Sequence, residues 1–363
     1  MDLTGLFDAF GEAGTSALGG LAIGIAFGIF AQRSRFCLRA AVIEFARGAI
    51  GVKVAVWLIT FTIAVFLTQA LIQLRIVDLS EARQFAARGS ISGALIGGAL
   101  FGIGMVLARG CASRLLVLSA TGNLRALLSG LIFAVTAEAS IHGILSPLRD
   151  ALARAWTVGG RENLDLLQAL GLGAQAGPVI GLLFLSGAVV FAVRAGLGPW
   201  GWLGAAGVGA TVAAGWWFTY QLSIQAFEPM TVKSMTFTGP SADTLMSVLS
   251  LPGSKLDFDI GLVPGVFLGS ALAALLAREW TLQGFEGGRS MRRYIAGAVL
   301  MGFGGMLAGG CAVGAGITGG SIFALTAWLT LTAMWAAAAL TDLLVDRLPE
   351  QRAAGALGAP TAP

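Results

Sequence analysis

The chain has 363 residues, of which 56% are hydrophobic and only 12% are charged. A soluble domain carries about 25% charged residues. The composition therefore excludes a soluble globular protein and predicts one that is embedded in a bilayer. The net charge of +4 indicates arginine-rich loops beside a membrane and gives no reason to expect a nucleic-acid partner.

Nine apolar segments are long enough to cross a bilayer, at about 20 residues each. In chain order they are 18–36, 54–74, 91–108, 124–145, 177–193, 200–220, 260–277, 294–309 and 322–344. The predicted fold is an all-α polytopic membrane protein with about nine transmembrane helices, in a single integral membrane domain over residues 1–363. Two long connections, about 146–176 and 221–259, leave room for short helices at the membrane interface.

The distribution of basic residues predicts the orientation of these spans. With the N-terminus outside, 15 of the 23 Lys and Arg residues face the inside and 8 face the outside. Cytoplasmic loops are enriched in Lys and Arg. We therefore predict an inner-membrane protein with a periplasmic N-terminus and a cytoplasmic C-terminus.

An internal repeat relates two of the spans. Residues 102–112 read GIGMVLARGCA and residues 302–312 read GFGGMLAGGCA, at an offset of 200. Because the third span runs inward and the eighth runs outward, the copies predict two inverted halves, about 18–145 and 177–344. Each copy predicts a half-helix, a turn at the cysteine and a short re-entrant return. A weaker third copy, in which Gly24, Gly28 and Cys37 share this spacing, is also explained by chance in a glycine-rich helix.

The chain has three cysteines, and each follows a glycine-containing helix next to a break. A buried cysteine is most often a small apolar residue, but packing does not explain the same position twice. A thiol is a weak hydrogen-bond donor, which suits a soft terminal sulfur atom better than a hard oxyanion. Three cysteines and one histidine, with no CxxC pair, predict no disulfide framework, no metal site and no cofactor.

Backbone amides and helix N-termini near the cysteines are predicted to supply the charge stabilisation that an anion needs. The candidate pathway residues are Cys37, Cys111, Cys311, Arg109, Gly110, Ala112, Arg114, Thr121, Asn123, Gly310, Ala312, Thr318 and Ser321. Two interpretations of Arg109 and Arg114 remain open. They either attract an anion or only reflect the enrichment of basic residues in cytoplasmic loops. Glu138 and His142 lie four residues apart on one helix face, as a proton relay or as a structural pair.

The cysteine motifs resemble those of the YeeE/YedE membrane family, over about residues 18–344. The matching motifs are RSRFC ending at Cys37, ARGCASR around Cys111 and GGCAVGAGITGGS around Cys311. The resemblance implies an hourglass-shaped inner-membrane protein that takes up thiosulfate, with nine spanning helices and further short ones. It also implies that Cys37, Cys111 and Cys311 relay the ion through S–H···S contacts, and that a small cytoplasmic TusA-like sulfur carrier is a partner.

Two further functions remain open from the sequence. One is a membrane sulfurtransferase or scaffold, in which a cysteine passes persulfide sulfur, or selenium, to a soluble carrier. A plain channel is the other. The transporter, which is not an enzyme, is favoured because Cys311 is predicted on the far side of the membrane without a basic neighbour. The chain contains no P-loop motif, so direct use of ATP is not expected.

Overall fold

The computed structural model describes residues 3–49, 51–80, 82–86, 88–160, 164–173, 175–249, 256–285 and 287–349. The predicted cytoplasmic C-terminus lies outside these residues. The α-helices are α1 (Thr4–Ser34), α2 (Leu38–Ala46), α3 (Val52–Gln73), α4 (Arg83–Ala86), α5 (Ile91–Leu107), α6 (Ala112–Ala120), α7 (Leu124–Ile141), α8 (Ser146–Arg154), α9 (Leu166–Ala169), α10 (Ala176–Arg194), α11 (Pro199–Gln225), α12 (Thr238–Leu249), α13 (Phe258–Leu276), α14 (Gly288–Leu307), α15 (Gly319–Ser321) and α16 (Leu325–Asp342). Two π-helical segments cover Ala312–Thr318 and Leu343–Arg347. A two-residue strand β1 (Gly89–Ser90) pairs antiparallel with β2 (Thr157–Val158).

Eight helical segments of the described chain are long and apolar enough to cross a membrane. They confirm an all-α polytopic membrane protein. The predicted span 200–220 forms the 27-residue helix α11, which is not among the eight. Its four tryptophans and five glycines lower its mean hydropathy. It nevertheless packs inside the bundle, where the Thr60 hydroxyl of α3 donates to the Ala205 carbonyl of α11 over 3.1 Å.

The boundaries of the first span differ most from the prediction. Helix α1 begins at Thr4, fourteen residues before the predicted start, and contains a kink at Gly11, whose φ is 70°. The two long connections do contain short helices, namely α8 and α9 in the first and α12 in the second. The core is built from the helices that carry the cysteines.

Helices α5 and α14, which carry the repeat, pack against each other in opposite directions. A Cβ atom added at Gly97 would lie 2.5 Å from the Ala308 nitrogen, and one added at Gly297 would lie 2.5 Å from the Ala108 nitrogen. These contacts exchange under the 200-residue offset of the sequence repeat. Glycine is therefore required at both positions, because any side chain would separate the helices.

Each repeat continues into a short hairpin after its cysteine. Helices α6 and α7 are joined by only three residues, 121–123, pack against each other and line one cavity, so they run antiparallel. In the other repeat, Gly316 lies near Leu331 and Gly319 lies near Ala327, so the segment after Cys311 runs antiparallel to α16.

The two ends of the bundle carry different charged groups. The arginine end is defined by Arg35, Arg109 and Arg125, where Arg35 approaches Glu279 beyond the end of α13. The Lys233 end is defined by Lys233, Asp257 and Asp259, at the start of α13. Helix α13 separates these ends by its 19 residues, which corresponds to about 28 Å.

Candidate functional site: three cysteine turns and a cavity

All three cysteines occupy the same place in the same backbone turn. Each is the residue that precedes a short helical segment, and each follows a left-handed residue by two positions. These left-handed residues are Arg35 (φ 54°), Arg109 (φ 56°) and Gly309 (φ 79°). The turn interrupts the long helix, and the next helical segment begins at the buried cysteine.

A backbone amide faces each sulfur atom at this position. The Gly314 amide donates to Cys311 Sγ over 3.4 Å. The Ala40 amide lies near Cys37 and the Arg114 amide near Cys111, in each case three residues further on, but neither of these thiols accepts a cap hydrogen bond. Only Cys311 caps its segment in the described chain, whereas all three cysteines lie at a helix N-terminus, where first-turn amides and the helix dipole favour negative charge.

Cys37 and Cys111 form a pair. Their thiols are close enough to interact electrostatically, and Cys111 Sγ lies 3.5 Å from the Ser113 hydroxyl. All three thiols are free and buried. In the described part of the chain, no hydrogen bond joins Cys311 to the pair, so the three sulfurs form two separate stations.

Arg114 places an unpaired positive charge beside the cysteine pair. Its Nη1 atom is buried, and the guanidinium group makes no ion pair or hydrogen bond with any residue of the described ranges. Arg114 and Arg39 are the cationic side chains that act electrostatically on Cys37. Because a buried charge without a partner is costly, this site is suited to an anionic ligand that would complete it.

Cys311 lies beside a cavity of about 470 Å³ at the Lys233 end. The turn that contains Cys311 forms part of its wall through Gly310, Gly314 and Thr318. Charged side chains also line the cavity, namely Arg83, Arg149, Lys233, Asp243 and Asp259.

Lys233 is the central charge of this cavity. Its Nζ donates to Asp257 Oδ2 over 2.6 Å and to Asp259 Oδ2 over 2.7 Å. Burial lowers the pKa of Lys233, but the two carboxylates outweigh that effect and raise it above its ordinary value. Lys233 is therefore charged at neutral pH and already paired.

Other polar atoms of the cavity wall have no partner. The buried Thr238 Oγ1, Gln84 Oε1 and Asp259 Oδ1 atoms make no hydrogen bond in the described structure. The Thr238 hydroxyl and the Gln84 amide also contain donor hydrogens. The wall therefore offers several hydrogen-bonding groups to a small polar solute.

Three aromatic rings connect the cysteine pair with the cavity. The Phe36 ring, next to Cys37, contacts Phe27 at a centroid distance of 6.5 Å, and Phe27 contacts Phe237 at 5.2 Å. Thr236 and Thr238, on either side of Phe237, line the cavity. All three phenylalanines are buried. The region between the two stations is thus filled by apolar side chains.

The backbone amides of the glycines directly before Cys111 and Cys311 are already hydrogen-bonded and cannot bind an anion. The Gly110 amide donates to Met105 O over 3.0 Å, and the Gly310 amide donates to Gly305 O over 2.8 Å. These bonds close the end of the preceding helix, as in other helix C-caps. The free amides instead belong to the first turn after each cysteine, which begins at Ala112 or Ala312.

Thr121 and Asn123 lie away from Cys111, at the other end of the nine-residue helix α6. Thr121 donates to Leu118 O, and Asn123 Oδ1 caps α7 by accepting from the Ala126 amide over 2.8 Å. In the other repeat, Thr318 lines the cavity and donates to Met235 O over 2.6 Å. Ser321 donates to Thr318 O, so neither hydroxyl caps α16.

The remaining candidates lie outside the cysteine stations. Arg109 is exposed, and its guanidinium lies 6.0 Å from the centroid of the Tyr294 ring. Glu138 Oε1 and His142 Nδ1 are 3.0 Å apart, and the His142 side chain is 71% exposed. The structure forms this pair but does not link it by hydrogen bonds to a cysteine in the described ranges.

Several residues of the site were missed by reasoning from sequence. Lys233, Asp243 and Asp259 come from two segments that give no motif, and only the fold brings them together. Arg39 could have been found from the sequence, since it follows Cys37 by two residues and Arg114 follows Cys111 by three. The chain has 21 phenylalanines, and no pattern in the sequence distinguishes Phe27 and Phe237 from the others.

Comparisons with known proteins place these features in a family. Residues 33–340 match the family described as sulphur transport. The chain is 28% identical over 327 residues to the thiosulfate transporter TsuA of Spirochaeta thermophila, covering 85% of this chain and 93% of that protein. It is 30% identical over 116 residues to the thiosulfate transporter TsuA of Escherichia coli K12, covering 32% of this chain and 33% of that protein. The family match spans most of the chain, and the protein therefore belongs to the sulphur transport family.

Proposed function

We propose that the protein imports thiosulfate, or a closely related sulfur-containing anion, across the inner membrane. The relatives described above are named as thiosulfate transporters. The observation that carries the proposal is the placement of three buried thiols at three helix N-termini, in one station beside the Lys233-end cavity and another beside Arg114.

The proposed path runs from the cavity past Cys311 to Cys111 and Cys37. At each station a thiol meets the terminal sulfur of the anion, and first-turn amides stabilise its charge. Arg114 supplies the counter-charge at the cysteine pair. The rings of Phe36, Phe27 and Phe237 close the path between the stations, so a conformational change must separate them during transport.

The proposed orientation places the Lys233 end in the periplasm and the arginine end in the cytoplasm, following the positive-inside rule. The two repeats would then be inverted halves around the path, in keeping with the reciprocal contacts of Gly97 and Gly297. A small cytoplasmic TusA-like carrier would receive sulfur at the arginine end.

Uptake of radiolabelled thiosulfate into proteoliposomes tests the proposal. Wild-type protein should accumulate label, and excess unlabelled thiosulfate should compete much better than excess sulfate, which lacks a terminal sulfur. A variant with all three cysteines replaced by alanine, at equal abundance in the vesicles, is the control and should take up little. Equal competition by sulfate, or full uptake by the control, would remove the thiols from the mechanism.

The cysteine pair favours a second candidate, a membrane sulfurtransferase or scaffold. Cys37 and Cys111 lie close together beside Arg114. In this function the Cys37 thiolate would attack the outer sulfur of thiosulfate, the sulfur–sulfur bond of thiosulfate would break, and sulfite would leave, so that Cys37 becomes a persulfide. This function gives no uptake into proteoliposomes. It predicts instead that protein exposed to thiosulfate gains the mass of one sulfur atom and releases one sulfite, and that Cys37→Ala abolishes both.

A further inference from the structure

One carboxyl group of the Lys233-end cavity has no partner. Asp243, on α12, lines this cavity and also a wider adjoining cleft. Over the ranges that the structure describes, its side chain makes no hydrogen bond or ion pair. By contrast, Asp257 and Asp259 both bind Lys233.

The charges around Asp243 come from each neighbouring segment. Asp257 and Asp259 at the start of α13 and Glu138 on α7 are like charges, whereas Lys233 is the nearby positive charge. Of the other cations of the wall, Arg149 is paired with Asp150, and Arg83 donates to the Gly309 carbonyl, so Lys233 is the cation that acts on Asp243. An ionised Asp243 is thus poorly compensated.

Burial, together with Asp259 and Asp257, raises the pKa of Asp243 from its ordinary value of 3.8 to about 6. The group therefore changes charge within the pH range of a cell's surroundings. When ionised, it adds a negative charge to the wall of a cavity that an anion must occupy. When protonated, it removes that charge and becomes a hydrogen-bond donor.

We propose that Asp243 is a proton-binding site that controls admission of the anion to the cavity. Uptake is activated when Asp243 is protonated and slowed when it is ionised. This inference rests on the proposed transport of an anion through the cavity.

The test compares initial uptake of thiosulfate at external pH values from 5 to 8 in wild type and Asp243→Asn. Asparagine keeps the size and the donor but cannot ionise. Wild-type uptake should fall several-fold as the pH rises through about 6. Asp243→Asn should stay at the acidic level throughout. Persistence of the wild-type pH profile in Asp243→Asn would overturn the proposal.

Two control variants isolate Asp243 from other titrating groups. His142→Gln removes the imidazole that pairs with Glu138, and Asp8→Asn removes an exposed carboxyl. Both should keep the wild-type pH profile. A flat profile in His142→Gln would assign the proton to the His142–Glu138 pair and refute the role of Asp243.

Thermal unfolding in detergent gives a readout that does not depend on transport. A carboxyl group whose pKa is raised by folding stabilises the folded protein at acidic pH. For Asp243 this contribution is lost as the pH rises from 3.8 to about 6. Wild type should therefore lose more thermal stability between pH 5 and pH 7.5 than Asp243→Asn does. Equal losses would contradict the proton site. A wild type that takes up no thiosulfate at any pH, yet shows this difference, would refute the transport function and leave the proton site in place.

Discussion

The turn at Cys111 and the turn at Cys311 share a backbone and differ in almost every neighbour. Cys111 is paired with Cys37 and lies beside Arg114, in an α-helical turn. Cys311 has neither a second thiol nor an arginine in its turn, begins a π-helical segment and borders an open cavity. The backbone turn is thus duplicated, whereas the charged surroundings differ, with Arg114 beside Cys111 and both cations and carboxylates in the cavity beside Cys311. For the proposed transport, we infer that the cavity beside Cys311 admits the anion and that the Cys111 station holds it.

The largest difference between the stations should be revealed by Arg114→Met. We expect thiosulfate uptake to fall by about thirtyfold or more, because losing the partner of a buried charge costs roughly 2–5 kcal/mol. The free protein should unfold at an equal or higher temperature, since the substitution removes an unpaired buried charge. Uptake assays and thermal unfolding in detergent measure the two effects.

Arg109→Gln is the matched control for Arg114→Met, because Arg109 lies in the same turn but is exposed. It should change uptake by less than about twofold, as surface charges contribute little. If both variants lose uptake equally, the general positive charge of the arginine end matters, and Arg114 does not hold the anion.

Substitution of single cysteines should have an intermediate effect. Cys111→Ala and Cys311→Ala should each reduce uptake by about tenfold, since a hydrogen bond to a charged group contributes about 1.5–3 kcal/mol. Folding should lose only about 1 kcal/mol. Serine keeps a donor but is harder and more strongly hydrated, so Cys111→Ser should restore little.

The same serine substitution at Cys311 should be tolerated better, because the open cavity already admits hydrated groups. Measured uptake of the four single variants, at equal membrane abundance, decides this. If serine restored uptake equally at both positions, any hydrogen-bond donor would suffice. Neither station would then require the soft sulfur atom of a thiol.

The smallest effect is expected for the close glycine contacts between α5 and α14, which the two repeats share. Gly97→Ala and Gly297→Ala should each destabilise the protein by about 1–3 kcal/mol, because both added methyl groups meet backbone atoms. Thermal unfolding should give equal shifts for the two variants. Gly130→Ala is the control, since nothing lies within 4 Å of its added Cβ, and it should gain up to about 1 kcal/mol. Unequal shifts would mean that the packing of the repeats is not equivalent.

The sequence predicted the features that depend on local composition. Apolar segments long enough to cross a bilayer located eight of the spanning helices, and the repeated glycines located the turns at Cys111 and Cys311. The amides of the candidate pathway residues Gly110 and Gly310 close the preceding helix, so the anion-binding amides of the proposal lie in the turn after each cysteine. That each cysteine precedes a helix follows from backbone angles, which sequence patterns specify poorly at residues such as Arg109.

Long-range contacts explain what could not be predicted. Lys233 and Asp243 lie in a connection predicted only to contain short helices, and they meet Asp259 because α12 and α13 fold over the Cys311 turn. The contact between Cys37 and Cys111 joins segments 74 residues apart. No spacing rule within one segment indicates such a pair.

The row of rings from Phe36 through Phe27 to Phe237 has a consequence for the whole cell. A membrane potential stores energy as separated charge. A continuous file of water through a transporter would let ions and protons cross and would dissipate that potential. These buried hydrocarbon rings, which meet edge-on and at a tilt, offer no hydration to an ion or a proton, so they act as an electrical insulator inside a body that is charged at both ends. The cell can therefore keep many copies of this protein in its membrane without dissipating the gradients on which it depends.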